Sequence, residues 1–571
     1  MQTYLFQTKL TAAVADAGSY SVRFPDAYKN MRVYSGASLA VDGSNVSESS
    51  FRVKFGPSGI DVFNFTGASW ASGTIAELSL RFMDQDDPRF SLALSSKRPR
   101  TALILGDSIT AQAEVILSAT SITPQGDGSA RVVRTSHSLD VGQQVRLGAA
   151  PVVSANLFDA VVKARIDANT VDVAGIGRTH AVTSNNSPSI YMPYRRSIKG
   201  WLNWLEFLSG EQFDPTWCAV GGATIRQIDA LMETSASYQH DIAFVMLGMN
   251  DIYSEGRTLA QMQRDMSRLL YKVQTRATNV CVFSVTCRNS ADSAWSAGKQ
   301  TIHTGFNQWL FEFCRDQGYR YVNSWRAKQD TTTYVNSSAT DPDMNSAIAF
   351  DNTHPSAVGA YALGSAAYAA YPSSFWNTIP TAAHDDQLGA DSGNLLTDSA
   401  FATNTGGVAT GWATASSTAN MNVATTCIPR TVSVDGDAFG YKQRYIISYG
   451  TATGTASTQF KKSSMHALMT PGRKVRFSVK VSADSAATGL LGIETTIFGT
   501  TANGFWLVYG MTLDSSADPL TGAISGTIFT PPAIVPPDLS DCFLYVRPYI
   551  SSAQSSSLTI DIWQPRLEYV D

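Results

Sequence analysis

Two kinds of hydrophobic patterning divide this chain. Up to residue 97 or so the alternation is two-fold: Ser19-Tyr20-Ser21-Val22-Arg23-Phe24, Phe51-Arg52-Val53-Lys54-Phe55 and Ile60-Asp61-Val62-Phe63-Asn64-Phe65 each put apolar side chains on one face, with turn residues between them. Period-two alternation is the mark of half-buried antiparallel strands, and residues 1–97 are expected to form a β-sandwich serving attachment or packing, with no chemistry of its own. Beyond residue 98 largely apolar runs replace the alternation: Ala102-Leu103-Ile104-Leu105, Thr216-Trp217-Cys218-Ala219-Val220, Ile242-Ala243-Phe244-Val245-Met246-Leu247 and Val280-Cys281-Val282-Phe283-Ser284-Val285, with Tyr319-Arg320-Tyr321-Val322-Asn323 as a fifth, more polar strand. Between them, Leu259, Met262, Met266, Leu269, Leu270 and Val273, and later Ile302, Phe306, Trp309, Leu310 and Phe313, recur at helical spacing. Strands buried on both faces and alternating with helices predict an α/β domain with a parallel, doubly wound sheet over residues 98–377.

Two all-β regions interrupt and follow this domain. A helix expected over residues 110–117 gives way to about 80 residues of strand character, including Ala130-Arg131-Val132-Val133-Arg134 and Thr170-Val171-Asp172-Val173. We read residues 118–193 or so as an inserted β module that emerges beside the end of the first core strand and walls the cleft there. Its Ser138-Leu139-Asp140-Val141-Gly142-Gln143-Gln144-Val145 and Asp167-Ala168-Asn169-Thr170-Val171 segments resemble small β repeats of bacteriophage tail proteins. A helix is expected to resume the α/β rhythm over residues 197–208. After a linker at residues 378–393, period-two alternation returns over 394–571. There Asn394-Leu395-Leu396, Phe401 and Gly411-Trp412 resemble the opening of jelly-roll carbohydrate-binding modules. Trp412, Trp506 and Tyr509 are candidates for stacking on sugars, although aromatics in sandwiches more often fill the core.

Composition narrows the partners. The 571 residues carry a formal net charge of −4 and only 16% charged side chains, so no basic field exists for nucleic acid or an anionic membrane. The cysteines, Cys218, Cys281, Cys287, Cys314, Cys427 and Cys542, include no CxxC pair and read as buried thiols. No metal site and no cofactor are implied. The amino terminus lacks the pattern of a secretion signal, and no apolar run suggests membrane insertion.

The chemistry gathers at the ends of the apolar runs. Gly106-Asp107-Ser108 delivers a serine where a strand turns into a helix; the same tripeptide also serves as an ordinary turn with an N-cap. A serine hydroxyl needs a base within hydrogen-bond reach, and His354 is the candidate. Asp351, three residues earlier on the same turn, can hold the imidazole Nδ1 and so set its tautomer. Asp107 and Asp251 read as turn and cap residues, Pro355 as the opening of the last helix. Arg288 and Trp295 follow the fourth strand and are expected to line the cleft. The remaining histidines, His137, His180, His240, His303, His384 and His466, have no paired carboxylate at fixed spacing and read as surface or packing residues.

Four blocks together resemble the SGNH (GDSL-like) hydrolase family: Gly106-Asp107-Ser108-Ile109, Val220-Gly221-Gly222-Ala223-Thr224, Gly248-Met249-Asn250-Asp251 and Asp351-Asn352-Thr353-His354-Pro355, in the family's order. The resemblance covers residues 98–375 without the insertion and implies a flavodoxin-like three-layer α/β/α hydrolase domain, a serine esterase with Ser108, His354 and Asp351 as triad. It further implies an oxyanion hole made of the backbone N–H groups of Ser108 and Gly222 and the amide of Asn250. At Gly222 a side chain is expected to obstruct the approach of substrate to the backbone. The leading expectation is a deacetylase that removes O-acetyl or similar acyl groups from a polysaccharide, in a bacteriophage tail spike or fibre. Its partners are then the acylated glycan and other virion tail proteins, and its place the virion tail or the medium after lysis, with a homotrimer compatible. A lipid esterase or thioesterase, and a receptor-binding protein on a hydrolase scaffold that no longer turns over, are the alternatives.

Overall fold

The computed structural model describes residues 2–570 except 11, 15–18, 24–33, 43, 47–50, 57–58, 65–67, 83–99, 126, 128, 138, 140, 142, 149–157, 176–184, 187–188, 236–238, 290–291, 330–348, 350, 377–393, 397–398, 417–420, 432–439, 450–454, 485–488, 503, 513–519, 521–522 and 552–556. The expected linker at 378–393, the boundary near residue 97, His180 and His384 therefore lie outside the described residues. The chain divides into two compact units, one of residues 1–97 with 237–242 and 271–279, the other of everything else. In the first, a four-stranded and a three-stranded antiparallel sheet are built from the alternating segments, with Leu39, Val62, Trp70, Ala76 and Leu78 buried.

The second unit contains most of a parallel sheet whose order is Phe213–Ala219, Arg100–Gly106, His240–Met246, Ala277–Phe283, Arg320–Val322. In chain order this is second, first, third, fourth, fifth, the flavodoxin-like order, and the winding reverses between the first and third strands. At such a switch point adjacent loops diverge and leave a crevice beyond the carboxyl ends of the strands. Ala102, Leu103, Ile104 and Leu105 are wholly buried, as strands covered on both faces require.

The insertion begins earlier than its sequence suggests. Helix runs only over Ser108–Ala111, and Glu114–Ser118, where residues 110–117 were expected to be helical, is a strand paired antiparallel with Ser189–Ser197. Pairing overrides local propensity here because both strands close the same module, whose core holds Val132, Val145, Val162, Val171 and Ile190. The helix expected from residue 197 starts at Trp201, because Asn203 Nδ2 binds the carbonyls of Ala113 and Ser197, each at 2.7 Å, and holds the preceding segment extended.

The carboxyl-terminal strands form two further antiparallel layers, and neither stands apart from the rest of the unit. The module strand Ser189–Ser197 runs parallel to Gly504–Thr512, so the inserted and carboxyl-terminal sheets are one continuous sheet. Trp204 and Phe207, from helix Trp201–Ser209, share one apolar core with Phe401, Trp412, Tyr445 and Phe477. Buried Arg476 joins Gln212 at 2.8 Å to Glu568, and Gln212 Nε2 donates to the Thr530 carbonyl at 2.8 Å. Of the aromatics considered for sugar stacking, Trp412 and Trp506 are core residues, Trp412 lying flat against Phe460 at 4.3 Å, and Tyr509 is half-buried. Burial of the indole faces removes both tryptophans from any sugar contact.

Candidate active site

Gly106 closes the first core strand because helix Ser108–Ala111 turns back over it: a Cβ there would lie 2.3 Å from Thr110 Cβ. Asp107 caps that helix, its Oδ1 accepting the Ile109 N–H at 3.0 Å, and Ser108 is left half-buried at the crevice. Burial raises the Asp107 carboxyl to about 6, against the Ile109 N–H and the charges of His354 and Lys328, which lower it.

His354 Nε2 lies 2.7 Å from Ser108 Oγ, and its Nδ1 lies 2.8 Å from Asp351 Oδ2. Asp351 Oδ1 accepts the backbone N–H groups of Thr353 and His354, both at 2.7 Å, so one carboxylate shapes the turn and orients the ring. Partial burial pushes the Asp351 carboxyl up, but the three N–H groups it accepts outweigh this and its pKa falls below the ordinary carboxylate value. Two outside donors hold the same turn: Asn289 N–H binds the Asn352 carbonyl at 3.1 Å and Lys328 Nζ binds the Thr353 carbonyl at 2.7 Å. Pro355 precedes the N-cap rather than opening the helix; Ser356 caps Ala357–Ala369 by accepting the Gly359 N–H.

The second loop reaches the serine directly, since a Cβ on Gly221 would lie 3.9 Å from Ser108 Cβ. Gly222 takes φ +76°, a backbone conformation that a side chain disfavours, and no protein atom fills the space a Cβ would take, which leaves that side of the loop open to an approaching ligand. Among the described residues no acceptor takes the N–H of Ser108 or Gly222. Asn250 donates one Nδ2–H to the Ala223 carbonyl at 3.0 Å, which leaves its other amide hydrogen for a ligand. Asp251 ties the third loop to the second by accepting the Ile225 N–H at 3.1 Å, and its burial raises the carboxyl to about 7.

Arg288 is already engaged, with Asp292 at 2.7 Å and over the Tyr253 ring at 4.6 Å, and the Trp295 indole N–H donates to Gln300 at 3.3 Å. His303 is fully buried, bonded to Tyr253 OH at 3.0 Å and the Val285 carbonyl at 3.1 Å, and burial drops its pKa to about 3. Three residues bearing on the site carry no signal in the sequence: Asn289, Lys328 and Tyr191. The Tyr191 hydroxyl, on the inserted module, accepts the Gly221 N–H, and nearby Arg146 pairs with Glu114 at 3.0 Å and lies 5.7 Å from the Trp217 ring. Among the described residues no cluster of His, Cys, Asp and Glu could hold a metal.

The arrangement supplies an oriented base, a hydroxyl within its reach and N–H donors beside that hydroxyl. A match to a protein family agrees with that chemistry. Residues 174–362 match the GDSL-like lipase/acylhydrolase family. The match starts beyond Ser108, which the insertion separates from the other blocks and the fold returns to them. Similar solved structures include an acetylxylan esterase from Geobacillus stearothermophilus, at 13% identity over 49% of this chain and 98% of that one, TM-score 0.28. Another is a member of the lipolytic G-D-S-L family from Veillonella parvula, at 16% identity over 30% of this chain and 85% of that one, TM-score 0.24. A search of the curated proteins finds no match. Residues 174–362 thus carry the likeness to GDSL-like acylhydrolases, and the protein is a carboxylic ester hydrolase.

Proposed function

We propose that the ester is an O-acetyl or similar acyl group on a polysaccharide, and that Ser108 is the nucleophile. As Ser108 Oγ attacks the acyl carbon, His354 Nε2 takes its proton, and Asp351 stabilises the imidazolium that forms. The oxyanion is met by the N–H groups of Ser108 and Gly222 and by Asn250 Nδ2–H, each such donor being worth roughly 10²–10³ in rate. His354 then returns the proton to the departing sugar hydroxyl, and a water activated by the same imidazole releases acetate from the acyl-enzyme.

The observation that carries this reading is the hydrogen-bonded chain from Ser108 Oγ through His354 to Asp351, at 2.7 and 2.8 Å. A glycan substrate is favoured by the β modules built around the hydrolase core and by their phage-tail-like segments. On the same grounds we place the enzyme in a bacteriophage tail spike or fibre, acting on bacterial surface glycan with other tail proteins as neighbours, and a trimer suits that setting. Ser108→Ala is expected to abolish acetate release from acetylated bacterial polysaccharides and from 4-nitrophenyl acetate; undiminished hydrolysis removes Ser108 from the mechanism. Preference for long-chain 4-nitrophenyl esters over the acetate would favour a lipid substrate, and glycan binding without turnover a receptor-binding role.

A further inference from the structure

Bonded to the catalytic turn is an ionisable group that the reaction does not use. Lys328 ends the short helix Ser324–Lys328 and is 0% exposed. Its ammonium is faced by Asp107 from the first core loop, Cys287 and Arg288 from the fourth, and Asp351 from the catalytic turn; the charge of His354 is felt at Asp107. Removing an ammonium from water is costly, and an uncharged methionine would fill the volume without that cost, so packing does not account for a lysine here. What the ammonium does is donate to the Thr353 carbonyl, in the peptide that joins Thr353 to His354.

We propose that Lys328 is a positioning residue: through the Thr353 carbonyl it fixes the turn that aims Asp351 and His354 at Ser108. The inference rests on the triad reading above. Asp351 Oδ1 accepts the N–H groups of Thr353 and His354 while Lys328 donates to the Thr353 carbonyl, so both polar groups of the Thr353–His354 peptide are tied. The cation also lies among Asp107 and Asp351 and favours their ionised forms. Burial lowers the Lys328 pKa to about 8, against the attraction of Cys287, Asp351 and Asp107, which raises it. The charged state that grips the carbonyl therefore prevails well below pH 8 and is lost as pH rises through it, giving kcat an alkaline limb near pH 8.

The test is the pH profile of hydrolysis of 4-nitrophenyl acetate by the full chain, with the Ser108→Ala chain as blank. Lys328→Met is expected to lower kcat about tenfold or more with KM within about twofold, since a small misplacement of catalytic groups is enough for such a loss, and to abolish the alkaline limb. Lys328→Gln, whose amide can still donate to Thr353, should recover part of the lost kcat but not the limb. A residue that only supports packing would lower the melting temperature and leave the limb in place. Wild-type kcat and limb in a folded Lys328→Met chain overturn the proposal. So does a wild-type profile flat from pH 7 to 9.5, a measurement that stands even where neither variant folds. If the Ser108→Ala chain itself hydrolyses the ester, the triad reading fails instead.

Discussion

Replacing Asp351 with asparagine isolates the tautomer from the geometry. In the native turn Asp351 Oδ2 accepts from His354 Nδ1 at 2.8 Å, which keeps the ring proton on Nδ1 and turns the Nε2 lone pair to the Ser108 hydroxyl at 2.7 Å. Asparagine Oδ1 can keep accepting the Thr353 and His354 N–H groups, so the turn should persist. Its Nδ2, however, donates to Nδ1, drives the proton to Nε2 and points an N–H at the nucleophile that needs a base. Where the acid partner is buried, this change costs about 10⁴ in rate. The Asp351 side chain is 46% exposed, and water can accept from Nδ1 in its place. The expected loss in kcat is therefore about 10²–10³, or ~3–4 kcal/mol of barrier. Steady-state hydrolysis of 4-nitrophenyl acetate by Asp351→Asn measures it, with KM and the circular dichroism spectrum near wild type. A folded variant within fivefold of wild-type kcat would refute the reasoning and leave the imidazole oriented by something else.

Two further changes probe the supports of the oxyanion loop. Burial raises the Asp251 carboxyl to about 7, above its unfolded value, so the folded state holds that proton more tightly and loses stability as pH climbs from about 4 to 7, by ~4 kcal/mol as an upper bound. Asp251→Asn, which can still accept the Ile225 N–H, should gain stability relative to wild type between pH 5 and pH 8 in urea unfolding; a pH-independent difference would show the carboxyl titrates normally. Tyr191→Phe deletes the acceptor of the Gly221 N–H and should lower kcat about 3–10-fold, the worth of one hydrogen bond, with KM little changed. An unchanged kcat would separate the inserted module from the chemistry.

Much of the architecture can be read along the chain, because burial on both faces of a parallel sheet leaves continuous apolar runs and half-buried sandwiches leave alternation. The strand Arg100–Gly106 around Ala102-Leu103-Ile104-Leu105 and the Asp351-to-His354 spacing are local facts of this kind, the latter because three residues on one turn let a carboxylate reach the ring behind it. Other features depend on what lies across the fold. Glu114–Ser118 is a strand because residues 189–197 pair with it, Trp412 is core because Phe460 covers it, and the carboxyl-terminal sandwich shares the core of helix Trp201–Ser209. Lys328 and Tyr191 reach the site from short or inserted elements whose own sequence gives no hint of it.

By itself the sequence determined which residue types and short spacings were available: a serine after Gly-Asp, a glycine able to adopt φ +76°, an asparagine, and an aspartate three residues before a histidine. Only the tertiary structure decided that a serine 246 residues from its histidine stands 2.7 Å from it, and which buried cation grips the turn between histidine and aspartate. The physical reason is range. Propensity and periodicity act over a few neighbouring residues, whereas a hydrogen bond between distant segments exists only once the winding of the sheet brings its loops to a common edge.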